Sequence, residues 1–356
     1  MASLAQILEP PSYGYAAPDG SLIVPTTKQL FKEFFSRINL FKDRKNWLAF
    51  YSWFTASLFA IPFFFFVKDF LTWKLFLVGF VYSMIILGTH GTIYYHRYST
   101  HRAYQFSHPF WRFITKNLVI KIIPEELYVV SHHVHHLISE KPGDPYNAHA
   151  GWLYCFLADA IHQPIARNLT EQEYHRVSQM INHTGVKLNT YAQYQKWGSI
   201  CNPYRTIAYF ALNWSFWYGT FYLIGGIPLA TAIFASAGFW AFGVRTFNFN
   251  GHGGGKDKRK DGVDFNRKDL SINQLWPGLV TGEWHNNHHL YPNGARAGFR
   301  LHQLDYAWYY IWFLSKIGAV SSYRDYTNDF YEKYFNPYKQ NRLMPPDSNS
   351  TLAHSN

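Results

Sequence analysis

Two long apolar stretches stand in the first third of the chain, and a longer one lies past its middle. Trp47 to Val67 carries no charge and is bracketed by Lys45 and Lys68, and Leu75 to about Tyr95 follows after a short Lys68–Lys74 connection. A helix that crosses a bilayer needs about 20 mostly apolar residues, so both stretches qualify. From Thr206 to Val244 no charged residue occurs, and Gly225-Gly226-Ile227-Pro228 interrupts the run near its centre, where a tight turn is expected. The pattern therefore predicts an all-α protein with four transmembrane helices, over about 47–67, 75–95, 207–225 and 227–245. Flanking these, Leu30–Lys45, Phe110–Ile123, Trp152–Ile161 and Tyr306–Val320 read as amphipathic helices suited to the membrane surface. The organisation expected is an N-terminal arm with its amphipathic helix (1–45), a membrane domain (46–325) and a C-terminal tail (326–356), disordered after Pro345.

Polar segments hold the chemistry. Histidines gather in three places: His96 and His101; His132, His133, His135 and His136; and His285, His288 and His289. Positions i, i+3 and i+4 share one helix face, so each of the two later groups is expected to present three imidazoles to one point. A pair five apart diverges by about 140° on a regular helix. His96 and His101 must then reach different points, or sit where the helix ends. With the isolated His252, and leaving His133 aside, the candidate ligands number nine, too many for a four-coordinate zinc site and suited to two ions of four or five imidazoles each. Asn248, one helical turn before His252, is placed to hold a metal-bound water, and His133 is a further candidate. Asp144-Pro145 reads as a turn, and Lys256–Lys260 as a solvated loop able to meet headgroups or phosphate.

Composition changes the picture in three ways. Of 356 residues 48% are hydrophobic and 20% aromatic, so the mean hydropathy of −0.21 reflects polar aromatics and a polar cap diluting real spans. The formal charge of +11 points to an anionic membrane surface, because no basic, aromatic-interleaved motif for nucleic acid is present. Two cysteines exclude a disulfide framework and a four-cysteine iron–sulfur site within the chain. Apart from Lys68, Asp69 and Lys74 the short connections between spans carry no charge, and almost all lysine and arginine lies in the N-terminal arm, the 96–200 section and the C-terminal section, which predicts both termini, and every histidine group, on the cytoplasmic side.

The spacing H-x-x-x-x-H, two H-x-x-H-H and one lone histidine, read here as His96–His101, His132–His136, His285–His289 and His252, resembles the integral-membrane fatty acid desaturases, most closely the stearoyl-CoA (Δ9-type) branch. His96-Arg97, Asp144-Pro145, Asn248 and Gly282-Glu283-Trp284 extend the match over roughly 47–325. The resemblance implies a four-span mushroom with a cytosolic histidine-rich cap and two non-heme iron ions. It also implies dioxygen as co-substrate and a cis double bond inserted into a saturated acyl chain. Electrons are then expected from an external donor, cytochrome b5 or a ferredoxin with its NAD(P)H reductase. The family's acyl tunnel ends against the second span, where Phe80 and Met84 share a face. Val130-Ser131 stands where acyl-CoA members carry Arg-Asp, His133 replaces an arginine, and a glycine is missing between Glu283 and Trp284. Acyl-CoA, acyl-lipid and carrier-bound substrates therefore all stay open. So does the membrane, bacterial inner or endoplasmic reticulum. The rival readings are a related diiron hydroxylase or acetylenase and, from another class, a membrane metal transporter, whose ligands would lie within the spans.

Overall fold

The computed structural model describes residues 7–162 and 165–343, so the segment after Pro345 lies outside the described residues. The chain is mostly helical with little strand. Helix α1 (Thr27–Arg37) opens with a capping box: Thr26 Oγ1 accepts from Gln29 N, and Gln29 Oε1 accepts from Thr26 N. It stops well before Lys45, because the Asn39 side chain accepts from Phe41 N and Lys42 N and turns the chain. Arg37 is not on a basic outer face. It is buried and paired with Glu9 and Glu33.

Three helical runs are long and apolar enough to cross a membrane: α2 (Arg44–Phe70), α3 (Trp73–Thr100) and, later in the chain, Pro203–Gly251. The last folds back on itself. Gly225 and Gly226 leave helical geometry, Gly226 at φ 69°, a conformation open to glycine at little cost. Tyr218 and Phe234 would stand about 24 Å apart on a straight helix, yet their ring centroids are 5.5 Å apart. Outward from these runs point Phe63, Phe64, Trp73, Phe76, Ile85, Phe216, Leu223, Ile224 and Phe239, all exposed. An apolar belt of that extent is not left in water by a folded chain, and it matches the lipid-facing surface the hydropathy pattern predicts.

After α3 the chain leaves the belt. Strand β1 (Tyr104–Phe106) pairs antiparallel with β2 (Val320–Tyr323), a small departure from an all-α fold. It also ends the helix expected over Tyr306–Val320 at Lys316. Helix α4 (Pro109–Lys116) is capped by His108 Nδ1, which accepts from Phe110 N, and exposes Phe110 and Phe113; it is shorter than the 110–123 segment expected. Helix α5 (Glu125–Ile138) starts after Pro124 with Glu125 and Glu126 in its first turn, where carboxylates suit the positive helix end. The run Pro203–Gly251 is α6. Then come α7 (Leu275–Thr281), α8 (His285–Leu290), α9 (Tyr306–Lys316) and α10 (Asn336–Leu343). A buried fork, Arg97 Nη1 and Nη2 to Asp305 Oδ1 and Oδ2 at 3.0 Å each, with further donation to Ala295 O and Gly282 O, ties the end of α3 to the segment carrying α8.

Candidate metal centre

Nine imidazoles converge just beyond the apolar belt, in two adjacent groups whose ligand atoms lie within 4.8 Å of one another inside each group. His96, His101, His132, His136 and His288 form the first; His135, His252, His285 and His289 form the second. The groups touch, with the His136 and His289 rings 4.5 Å apart.

The five-residue spacing of His96 and His101 is reconciled by a widened helix. Residues Gly91–Thr100 of α3 make π-type turns, and His101 N donates to His96 O at 3.1 Å, an i to i+5 bond. Such a turn stacks residues five apart. His101 closes the helix, and the two rings sit 5.0 Å apart in one group.

The later boxes correct a sequence expectation. Neither gives three imidazoles to one point. On α5, His132 and His136 belong to the first group and His135 to the second; on α8, His288 belongs to the first and His285 and His289 to the second. Neighbouring residues diverge by about 100° on a helix, so each adjacent His-His pair straddles the two groups. His133 belongs to neither; its ring lies 6.4 Å from that of His101. Of the remaining histidines, His90 Nε2 meets Thr115 O at 2.8 Å, a packing role.

Carboxylates orient the rings unevenly. In the second group His135 Nδ1 meets Asp144 Oδ1 (2.8 Å), His252 Nδ1 meets Glu140 Oε1 (2.8 Å) and His289 Nδ1 meets Asp269 Oδ2 (2.7 Å). His285 Nδ1 lies 3.6 Å from Glu283 Oε1. In the first group only His96 has such a partner among the described residues, Glu283 Oε2 at 3.1 Å. A carboxylate on Nδ1 fixes the tautomer and leaves Nε2 as lone-pair donor. Glu140 reaches its place from a left-handed backbone, φ 63°. That strain is held at the site by its N–H on Asp144 Oδ2 and its carboxylate on Leu270 N.

The nitrogens left over fit an ion in each group. Nε2 of His101, His135, His252, His285 and His289 is buried without a hydrogen-bond partner, a cost of about 1–3 kcal/mol each if nothing binds. The Nε2 atoms of His96 and His288, and of His136 and His288, face each other at 2.9 Å, and those of His132 and His136 at 3.1 Å. Metal–imidazole bonds of about 2.1 Å at right angles place two nitrogens about 3.0 Å apart. Burial, then neighbouring imidazoles, holds His132, His136, His288 and His289 well below the ordinary histidine pKa, so they are neutral donors. Burial opposes protonation of His135 too, but Asp144 leaves its pKa raised. Burial raises Glu283, yet His96 and His285 hold its carboxyl well below the usual range.

Beside the first group runs a mainly apolar cavity of about 120 Å³, walled by His96 and His132 and extending to Leu87, Gly88 and Trp240. Asn248 lines it, with Oδ1 buried and unpartnered. None of the second group's histidines does. Phe80 and Met84 do not line it either; Phe80 packs instead on Trp276, ring centroids 6.1 Å apart. Gly88 is packed closely in the cavity wall, where an added Cβ would lie 2.5 Å from Thr281 Cγ2 and 3.1 Å from the Trp240 ring. A larger cleft of about 310 Å³ under α4 shares only Tyr95 with it and touches no histidine.

Residue type and spacing pointed to the histidines but not to their supports. Glu140 stands four residues after a box, and Asp144 and Glu283 are legible in the chain as a turn or as part of the family resemblance, not as ring partners. Asp269 has no local signal.

The fatty acid desaturase family model matches residues 71–316. The chain is 27% identical over 263 residues to a Delta-9 desaturase-like 2 protein of Arabidopsis thaliana, covering 70% of this chain and 77% of the relative. It is 26% identical over 319 residues to an sn-1 stearoyl-lipid 9-desaturase of Synechocystis, covering 85% and 90%. To a hex-5-enoyl-[acyl-carrier protein] acetylenase of Moorena producens it is 27% identical over 267 residues, covering 68% and 75%. With more than half of its length matched, and four histidine motifs brought together at the end of an apolar helical stem, the chain belongs to the fatty acid desaturase family.

Proposed function

We propose that this chain is a four-span membrane enzyme that uses dioxygen to insert a cis double bond, of Δ9 type, into a saturated acyl chain. The observation that carries the reading is the division of nine buried imidazoles into two adjoining ligand sets, one of them opening onto an apolar cavity. The site residues are the five histidines of the first set for one iron, the four of the second for the other, and Asn248 through a water. Two irons supply what no side chain can, an oxidant able to take hydrogen from an unactivated methylene.

The protein's part is placement and shielding. The cavity wall from Leu87 to Trp240 holds the acyl chain straight past His96 and His132, a positioning effect. Apolar lining excludes water, and the carboxylates on Nδ1 keep the rings aimed. Removing a hydrogen from each of two adjacent carbons releases two electrons, whereas taking dioxygen to two waters requires four. An external carrier supplies the other two, with two protons from solvent. Counting the segments on either side of Gly225–Gly226 separately gives four spans with α2 and α3, and the concentration of lysine and arginine outside the short connections supports both termini and the histidines on the cytoplasmic side of a bacterial inner or endoplasmic reticulum membrane. The similarity to a stearoyl-lipid desaturase over 85% of the chain, with Val130-Ser131 before the second box, favours an acyl-lipid over an acyl-CoA substrate.

Expression in a host lacking monounsaturated lipids tests this. Expected are two irons per chain and new monoenes whose double bond is located by mass spectrometry. An added oxygen atom would mean a hydroxylase, and a triple bond an acetylenase like the Moorena relative. Metal uptake without any change in acyl chains would sink the oxidase reading altogether.

A further inference from the structure

The second imidazole group turns its back on the cavity and lies under a basic loop. Beyond His252 the backbone winds through Gly253, Gly254 and Gly255, all left-handed (φ 63°, 68° and 76°). Their N–H groups donate to Asn250 O, Phe249 O and His252 O, so the loop leaves the centre by a short, fixed path. Lys256, Lys258, Lys260 and Lys268 then stand exposed, with no ion pair among the described residues. Lys339 and Arg342 of α10 extend the face, since Tyr338 packs on Gly262 and Arg342 reaches Asp261 at 3.8 Å.

Two features separate this face from a lipid-seated one. Between Phe239 and Leu275 no described large hydrophobic side chain is exposed, whereas surfaces that sit on a bilayer add apolar or aromatic anchors to their lysines. The face is also wired inward. Arg259 Nη1 donates to Asp269 O at 2.8 Å, and Asp269 Oδ2 meets His289 Nδ1 at 2.7 Å. Glu140 Oε1 joins Leu270 N to His252 Nδ1. One residue thus separates the basic surface from two imidazoles of the second group.

We propose that this loop is the docking surface for an acidic one-electron carrier protein, which feeds the centre through the second group. The inference rests on the desaturase reading, because that chemistry leaves two electrons to be supplied. Each encounter oxidises one carrier by one electron and reduces the centre by one; no bond forms between the proteins, and two encounters complete the requirement. Complementary charge is suited to this task, as it raises encounter rates without locking partners together.

The test uses the iron-loaded full chain in lipid nanodiscs. The probes are a plant-type ferredoxin and the soluble haem domain of cytochrome b5, with binding read by fluorescence anisotropy and reduction by stopped flow. Replacing Lys256, Lys258, Lys260 and Lys268 together by Glu is expected to cut the bimolecular reduction rate at low salt by at least about tenfold and flatten its salt dependence. Reduction by dithionite, iron content and thermal midpoint should not move. Charge reversal at Lys28 and Lys32 on α1 should leave carrier binding unchanged. If the fourfold variant folds poorly, the same lysines changed to Gln, two at a time, give the graded version of the result. Carrier binding that is unaltered in the variants overturns the proposal. So does a loss of binding to phosphatidylglycerol vesicles alone, which would make the face a headgroup contact. Carrier binding is measured without turnover, so a wild type that binds carriers yet forms no double bond counts against the desaturase reading and not against the docking face.

Discussion

The two imidazole groups are built from the same residue type and share α5 and α8, yet their surroundings differ. The five-membered group looks onto the apolar cavity and has one carboxylate behind it, Glu283 on His96. The four-membered group has a carboxylate near every ring and a charged loop above it. A ring backed by a carboxylate is a better donor, and the added negative charge offsets that of the ion. The four rings of the first group that lack a carboxylate would leave more of a bound ion's charge uncompensated than the second group does. Under the proposed function, the first group stands on the substrate side and the second on the supply side.

The largest effect should come from neighbours on α8. His288→Ala removes a ligand from the first group and His289→Ala one from the second. Each variant is expected to retain one iron in place of two and to lose desaturation, with metal counted by mass spectrometry. If either change emptied both groups, they would be one site, and the comparison would collapse.

Next comes graded metal removal. Under increasing chelator the first group should release its iron before the second. Asp269→Asn should weaken only the second, by about 10- to 100-fold in affinity, while Glu283→Gln weakens both because it serves His96 and His285. Titrating the two single-group variants against chelator reads each affinity directly. A second group that empties first would reverse the roles assigned.

A smaller change should be confined to the cavity side. Trp240→Ala opens space in the cavity wall beside Gly88, and product analysis should show longer acyl chains accepted while iron content stays at the wild-type value. Unaltered chain-length preference would place the acyl methyl end elsewhere.

The smallest concerns α5, which carries ligands of both groups. Burial pushes the Glu126 carboxyl up to about 8, against hydrogen bonds from Ile200 N and Cys201 N. A raised folded pKa means its contribution is full below about 4.5 and is lost as pH rises toward 8. Glu126→Gln keeps the acceptor and removes the titration. Its thermal midpoint should therefore fall less than that of the wild type between pH 5 and 8. Parallel curves would show that Glu126 does not titrate there.

Much of this was legible in the chain because the signals are local. Twenty uncharged apolar residues have few homes other than a bilayer, a Gly-Gly pair before Ile-Pro breaks a helix wherever it occurs, and histidines gathered at three places in polar segments mark candidate metal ligands by residue type alone. Residue pattern alone therefore determined the apolar stem, the reversal in its second half and the nine candidate ligands. What only the tertiary structure decided depends on contacts between distant segments. The π-turns that bring His101 under His96, the sorting of each adjacent His-His pair into different groups, and Asp269 on His289 all arise where α3, α5, α6 and α8 meet. So does the packing of Gly88 in the cavity wall against Trp240 and Thr281 from other parts of the chain. Periodicity reports which face a residue occupies; which partner waits on that face is settled by packing, and no short window of sequence contains it.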